Sequence, residues 1–203
     1  MLSDGANRNF GFEGIQSMAK APCALTFKEF FFHGCFRISK VALSSLSVMG
    51  NVERLVLSGC TALDDNGMIE LSKLCEKLKF LSLSACGNCV SNAMLLGMST
   101  FLKSIQSLNL ADCGKVGRQG LGSLSSCRAL RHLNLSGCVS VTNDAILGLC
   151  EGKFEPGLLS LLLERCPKVS DTALTWIING LQDVRANVSG NVSLINLSLK
   201  GTK

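Results

Sequence analysis

A unit of about 26 residues recurs along almost the whole of this 203-residue chain, and it constrains the fold more than any other feature. In each copy a cysteine stands three residues after the second of two apolar residues that are separated by one position. These segments read FFFHGC, LVLSGC, LSLSAC, LNLADC, LNLSGC and LLLERC, and their cysteines are Cys35, Cys60, Cys86, Cys113, Cys138 and Cys166. Such self-similarity indicates a repeat architecture rather than one compact core.

A second pattern follows each cysteine. The third residue after it is apolar, the seventh is small and the eighth is large. The third residues are Ile38, Leu63, Cys89, Val116, Val141 and Val169, and the seventh residues are Ala42, Gly67, Ala93, Gly120, Ala145 and Ala173. The eleventh residue is apolar in every copy except at Gly97, where we expect the adjacent Met98 to fill the gap.

The two patterns predict one strand and one helix in each unit. Alternating apolar residues before the cysteine are typical of a short strand that turns two side chains inward. The small, large and apolar positions after it lie on one face of a helix. Because no single unit can bury its apolar face alone, the units must stack. We therefore predict an α/β solenoid with a curved parallel sheet on its concave face and helices on its convex face.

The same register extends to both ends of the chain. Asn7 and Thr202 take the position of the cysteine, which we call the ladder position. This gives about eight turns in a single domain over residues 1–203. The outer turns are incomplete: residues 1–24 form a partial first turn and residues 192–203 a final strand.

The repeat resembles the cysteine-containing leucine-rich repeats, and the segments CVSVTNDAIL and CPKVSDTAL match that pattern closely. Such repeats occur in F-box substrate receptors of ubiquitin ligases and in relatives of the antagonist of the mitotic exit network. The resemblance implies a solenoid that binds proteins as a scaffold or recognition subunit. Substrate recognition in a ubiquitin ligase is the alternative role. Because the repeats begin close to Met1, we expect no F-box in this chain.

The residue types that could carry chemistry are better explained by packing. We expect each ladder thiol to point inward and contact backbone groups, since buried cysteine behaves as a small apolar residue. Cys86 and Cys89 form a lone C-x-x-C without the second pair that zinc requires, and Cys89 is assigned to the core. His33 and His132 lie four units apart, which is about 19 Å in a sheet. We predict no enzyme activity, no metal and no cofactor.

Charge and hydropathy exclude further classes. The net charge is +5, but the 20 lysines and arginines are scattered, so we expect no nucleic-acid binding. The longest apolar stretches, such as residues 158–163, are too short to cross a membrane. The first 20 residues carry no secretory pattern. We therefore expect an intracellular protein, most simply a cytoplasmic one.

Outward strand positions should tile the concave face, which repeat proteins use for recognition. The predicted partner-binding residues are Phe31, His33, Arg54, Val56, Phe80, Asn109, His132, Asn134, Leu162 and Glu164. Phe31, Val56 and Phe80 would form an exposed apolar patch; alternatively, Phe31 packs under the N-terminal segment. Since neither end shows a polar cap, we also expect a partner to cover one or both ends, unless the chain is part of a longer one.

Overall fold

The computed structural model describes residues 12–35, 38, 40–46, 50–74, 76–152, 157–173, 175–177 and 196–198. The strands are β1 (Glu29–Phe31), β2 (Arg54–Val56), β3 (Phe80–Ser82), β4 (Gly87–Ser91), β5 (Ser107–Asn109), β6 (Cys113–Lys115), β7 (His132–Asn134), β8 (Ser160–Leu162) and β9 (Asn196–Ser198). The helices are α1 (Phe12–Lys20), α2 (Lys40–Leu46), α3 (Asp65–Leu74), α4 (Asn92–Ser99), α5 (Arg118–Ser123) and α6 (Asn143–Cys150), with 3-10 turns at Ala24–Thr26 and Leu124–Ser126.

Seven of these strands form one parallel sheet in the order β1-β2-β3-β5-β7-β8-β9. The middle residues of neighbouring strands pair directly, so one inward position repeats across the sheet. This column consists of Phe30, Leu55, Leu81, Leu108, Leu133 and Leu161, and the backbone of Leu161 pairs with that of Leu197. The predicted strand-and-helix unit and the parallel sheet are confirmed.

A single hydrophobic cluster fills the space between the sheet and the helices. In the turn that begins at Cys138, it takes Val141, Ala145, Ile146 and Leu149 from the predicted positions, all at most 3% exposed. The Thr142 hydroxyl caps α6 by accepting a hydrogen bond from the Ala145 amide. The small side chain at Ala145 lets the helix lie close to the sheet, as the sequence predicts.

The ladder cysteines that the structure describes are almost fully buried, at most 1% exposed. From the second onward, each thiol donates a hydrogen bond to the carbonyl oxygen of the last inward residue of the preceding turn. The Sγ–O distances are 3.6 Å for Cys60–Phe32, 3.0 Å for Cys86–Leu57, 3.2 Å for Cys113–Leu83, 3.1 Å for Cys138–Leu110 and 3.1 Å for Cys166–Leu135. The thiols therefore tie successive turns together. Asn7 and Thr202 lie outside the described residues.

The residue before each ladder cysteine adopts the left-handed conformation, with φ between 55° and 74°. Glycine occupies this position in three turns, and alanine, aspartate or arginine in the others. At Gly137 the left-handed conformation favours glycine, and a Cβ there would require the exposed Asp112 carboxylate to move aside. Ala85, Asp112 and Arg165 instead adopt a backbone conformation that L-residues disfavour by about 1–2 kcal/mol.

The turn that begins at Cys86 departs from the prediction by one residue. Val90 rather than Cys89 fills the core position and is 0% exposed, while Cys89 is only half-buried. The helix is displaced to match: Met94 is buried and Ala93, predicted to face the sheet, is exposed. Strand β4 absorbs the additional residue as an irregularity in its pairing with β6. Cys89 therefore packs against the core as a half-buried side chain but does not fill the predicted core position, whereas Met98 fills the gap beside Gly97 as expected, at 1% exposure.

Candidate functional site

The open face of the sheet, which is the face away from the helices, contains a shallow depression of about 200 Å³. It crosses strands β3, β5, β7 and β8. The lining residues are Phe80, Ser107, Leu108, Asn109, His132, Leu133, Asn134, Ser160 and Leu162. Five of the ten predicted partner-binding residues therefore lie around one depression.

Two asparagines stand side by side in this depression. Asn109 and Asn134 are paired in the register of β5 and β7. Each side-chain Oδ1 accepts a hydrogen bond from the backbone amide two residues ahead, that of Ala111 at 3.0 Å and that of Ser136 at 2.9 Å. These local bonds fix the direction of both amide groups, because only the oxygen can accept. The depression thus has two oriented polar groups in its floor.

The N-terminal part of the open face is more closed than the sequence predicts. The guanidinium of Arg54 lies 3.8 Å from the centre of the Phe80 ring and covers one side of it. Val56 is only 7% exposed, and Phe31 is half-buried. The predicted apolar patch of Phe31, Val56 and Phe80 therefore offers little continuous apolar surface, and Phe80 contributes mainly to the depression.

Serines close the neighbouring part of the open face. The hydroxyls of Ser58, Ser82 and Ser84 form a hydrogen-bonded triangle with O–O distances of 3.1, 3.3 and 2.8 Å. Since each hydroxyl already has partners within the triangle, this region has less hydrogen-bonding capacity to offer another molecule. The depression beside it is the more open surface.

The remaining predicted partner-binding residues lie outside the depression. His33 is exposed after β1, four strands along the sheet from β7, so it does not meet His132. Glu164 follows β8 and is half-buried. Ser107 and Ser160 were not selected from the sequence although they line the depression. Ser107 lies at an outward position on the same strand as Asn109, and Ser160 lies at an outward position on the strand next to that of Asn134. These outward positions are the signal that could have identified them.

The buried and half-buried thiols that the structure describes are poorly suited to nucleophilic or redox chemistry. Burial raises the pKa of Cys86 to about 11 and that of Cys138 to about 12, so both stay protonated near neutral pH. Half-buried Cys89 also has a raised pKa, chiefly through desolvation, and its Sγ bonds the Thr61 carbonyl oxygen at 2.9 Å. Within the described ranges, no group of three or more histidine, cysteine, aspartate or glutamate residues could hold a metal ion.

No helix in the described part of the chain is long and apolar enough to cross a bilayer. The open ends that the sequence predicts fall on residues outside the described ranges, at Asn7 and Thr202. Coverage of an end by a partner therefore stays a prediction.

A family model described as a leucine-rich repeat matches residues 126–150. The chain is also similar to a DNA repair protein, rhp7, of Schizosaccharomyces pombe, with 31% identity over 134 residues. It is 27% identical over 129 residues to antagonist of mitotic exit network protein 1 of Candida glabrata. These alignments cover 63% and 62% of this chain but only 23% and 25% of the relatives, so the chain spans about a quarter of their length.

Two solved structures share the architecture. Internalin C2 of Listeria monocytogenes aligns with a TM-score of 0.54 and 16% identity, over 94% of this chain and 78% of that one. The tropomodulin C-terminal domain of Caenorhabditis elegans aligns with a TM-score of 0.51 and 13% identity, over 85% and 94%. At such identities the likeness concerns the fold, and together with the repeat match it identifies the leucine-rich-repeat solenoid predicted from the sequence.

Proposed function

Since this chain folds as a leucine-rich-repeat solenoid, we propose that it is a non-catalytic recognition or scaffold subunit that binds a partner protein on the open face of its sheet. The leucine-rich repeat is generally an interaction fold, and the function is argued from the site that the fold presents. The observation that carries the proposal is the depression, where Asn109, Asn134 and His132 stand between the apolar walls of Phe80 and Leu162.

The composition of the depression suits a protein contact better than a reaction. Apolar walls around a few oriented polar groups are typical of a binding site. The one titratable side chain in its lining is His132, and no carboxylate or lysine joins it there. A catalytic serine–histidine pair is completed by a third group that orients the histidine. The nine lining residues provide recognition groups and include no carboxylate for that role.

Affinity purification of the full chain tests this proposal. Ser107→Phe places a ring in the depression from a half-exposed position, and Ser126→Phe makes the same change at an exposed position in the helix layer. We expect Ser107→Phe to lose a partner that the unaltered chain and Ser126→Phe both retain. Urea unfolding should show that both variants stay within about 0.5 kcal/mol of the unaltered chain. Equal recovery of every partner by the two variants would contradict the proposal.

The identity of the retained proteins separates the two roles that the repeat suggests. Recovery of a cullin together with its adaptor would assign the chain to substrate recognition in a ubiquitin ligase. This holds whether Ser107→Phe loses these subunits or retains them because they bind elsewhere on the chain. A stable assembly without those subunits would assign it to a scaffold.

A further inference from the structure

Resting on the proposed function, we infer that the depression recognises a linear segment of the partner in an extended conformation. One uncharged aromatic or long aliphatic side chain of that segment enters the depression, and the flanking main-chain carbonyls accept hydrogen bonds from Asn109 and Asn134. The inference specifies the chemistry of the ligand, which the proposed function leaves open.

The size of the depression fits one side chain. Its volume is about 200 Å³. An apolar cavity of about 150 Å³ accommodates benzene, whereas pockets for cofactors and drug-sized ligands measure about 300–1,000 Å³. A single aromatic or long aliphatic side chain therefore fills the space.

The lining excludes a charged side chain. None of the nine lining residues is an aspartate, glutamate, lysine or arginine. Arg54 contacts the Phe80 ring without lining the depression. An ionised group that entered would lose water without gaining an opposite charge, which is costly. Phe80 and Leu162 instead supply apolar walls, so an uncharged apolar side chain is the complementary occupant.

The asparagines supply donors for a main chain. Their Oδ1 atoms are occupied by the Ala111 and Ser136 amides, so the Nδ2 groups are the parts left to bind a ligand. Among the residues that the structure describes, no acceptor is hydrogen-bonded to either Nδ2. The two groups sit on adjacent strands about 4.8 Å apart, and alternate carbonyls of an extended chain are about 6.7 Å apart. A hydrogen bond of about 2.9 Å that leans sideways by about 1 Å at each amide stays within about 20° of straight and spans that difference.

Selection from a random heptapeptide phage library against the full chain tests the inference. We expect the selected peptides to share one large apolar residue, with no common charged residue. The selected peptide, synthesised with a fluorescent label, should bind by anisotropy. Its affinity should fall at least tenfold for the double variant Asn109→Asp, Asn134→Asp, which keeps both local acceptors but removes the Nδ2 donors. Ser107→Phe should abolish binding, and Ser126→Phe should leave it unchanged.

Three results would overturn the inference: no enriched peptide, a consensus built on charged residues, or equal affinity for the unaltered chain and the double variant. Circular dichroism of each variant ensures that a loss of binding is not a loss of folding. If peptide selection fails while Ser107→Phe still loses a partner in affinity purification, the surface binds a folded protein. The proposed function then stands and the inference about a linear segment falls. If both experiments fail, both proposals fall.

Discussion

The turns that begin at Cys86 and Cys138 contain the same structural elements, but they differ in the number of residues between the cysteine and the helix cap. In both, a strand leads to a buried thiol that donates to a carbonyl oxygen of the preceding turn, at 3.0 Å and 3.1 Å. In both, a hydroxyl then caps the helix. The cap is four residues after the cysteine at Thr142 but five after it at Ser91.

The difference shows that the core positions, rather than the count from the cysteine, decide which side chains are buried. Val90 takes the place that Val141 holds in the regular turn, and Met94 takes that of Ala145. The additional residue is accommodated in β4, where the pairing with β6 is irregular. As a consequence Cys89 and Ala93 are displaced outward, since a helix that shifts by one residue presents a different face.

The largest expected effect concerns the buried ladder thiols, which the two turns share. An unfolded thiol ionises near pH 8.5, whereas burial raises the pKa of Cys86 to about 11 and that of Cys138 to about 12. The folded state therefore binds more protons above about pH 9, and the free energy of unfolding should fall as the pH rises towards 11. Each such thiol contributes a slope of about 1.4 kcal/mol per pH unit.

Urea unfolding between pH 8 and pH 11 measures this slope. Lysines also titrate in this range, so the informative quantity is the difference between the chain and its variants. Cys86→Ala and Cys138→Ala should each reduce the slope, while Cys23→Ala, at an exposed position, should not. A slope that neither ladder variant changes would mean that these thiols are not protonated and buried in the folded state.

The second prediction compares two alanines that hold the same position in the sequence pattern. Ala145 is 1% exposed, so Ala145→Phe should overpack the space between helix and sheet and lower the free energy of unfolding by about 1–3 kcal/mol. Ala93 is exposed in the displaced helix, and Ala93→Phe should change stability by less than about 0.5 kcal/mol. Chemical denaturation measures the free energy of unfolding of both variants. Equal losses of stability would mean that Ala93 faces the sheet as Ala145 does, so that the helix after Cys86 is not displaced.

The repeat predicts the fold because its physical cause is local. Apolar residues at alternating and helical spacings, with a small residue where the helix meets the sheet, are legible in each unit. The displaced turn is different because the small-then-large pattern favours Ala93 with Met94, whereas the structure buries Met94 with Leu95. The choice depends on the pairing of β4 with β6, which joins residues about 25 positions apart and leaves no local signal.

The candidate site, like the fold, was predictable from the sequence only in part. Alternation along the strands placed Asn109, His132 and Asn134 on one face, because side chains of adjacent strands align in a parallel sheet. It did not predict the burial of Val56 or the contact of Arg54 with Phe80. Those features depend on the rotamers that long side chains adopt across neighbouring strands, which a pattern of residue types does not specify.

A third prediction concerns the residues exchanged in the displaced turn. Val90→Ala removes two buried methyl groups and should cost about 2 kcal/mol, which is the usual value of burying such a side chain. Cys89→Ala removes a half-buried thiol and its bond to the Thr61 carbonyl, which should cost about 1 kcal/mol or less. Thermal and urea unfolding measure both. A larger loss at Cys89 would place that side chain, and not Val90, in the core.

The smallest effect tests whether Ser91 and Thr142 are equivalent caps despite their different distances from the cysteine. Each side chain accepts a hydrogen bond from the third amide after it, at 3.0 Å for Ser91 and 3.3 Å for Thr142. Ser91→Ala and Thr142→Ala should therefore each lower the free energy of unfolding by about 1 kcal/mol, the typical value of a helix N-cap. The exposed control Ser126→Ala should have almost no effect. Without the shift Val90 would occupy the cap position, and Ser91→Ala would then be as neutral as the control. A measurable loss at Ser91 in urea unfolding is thus specific to the displaced helix.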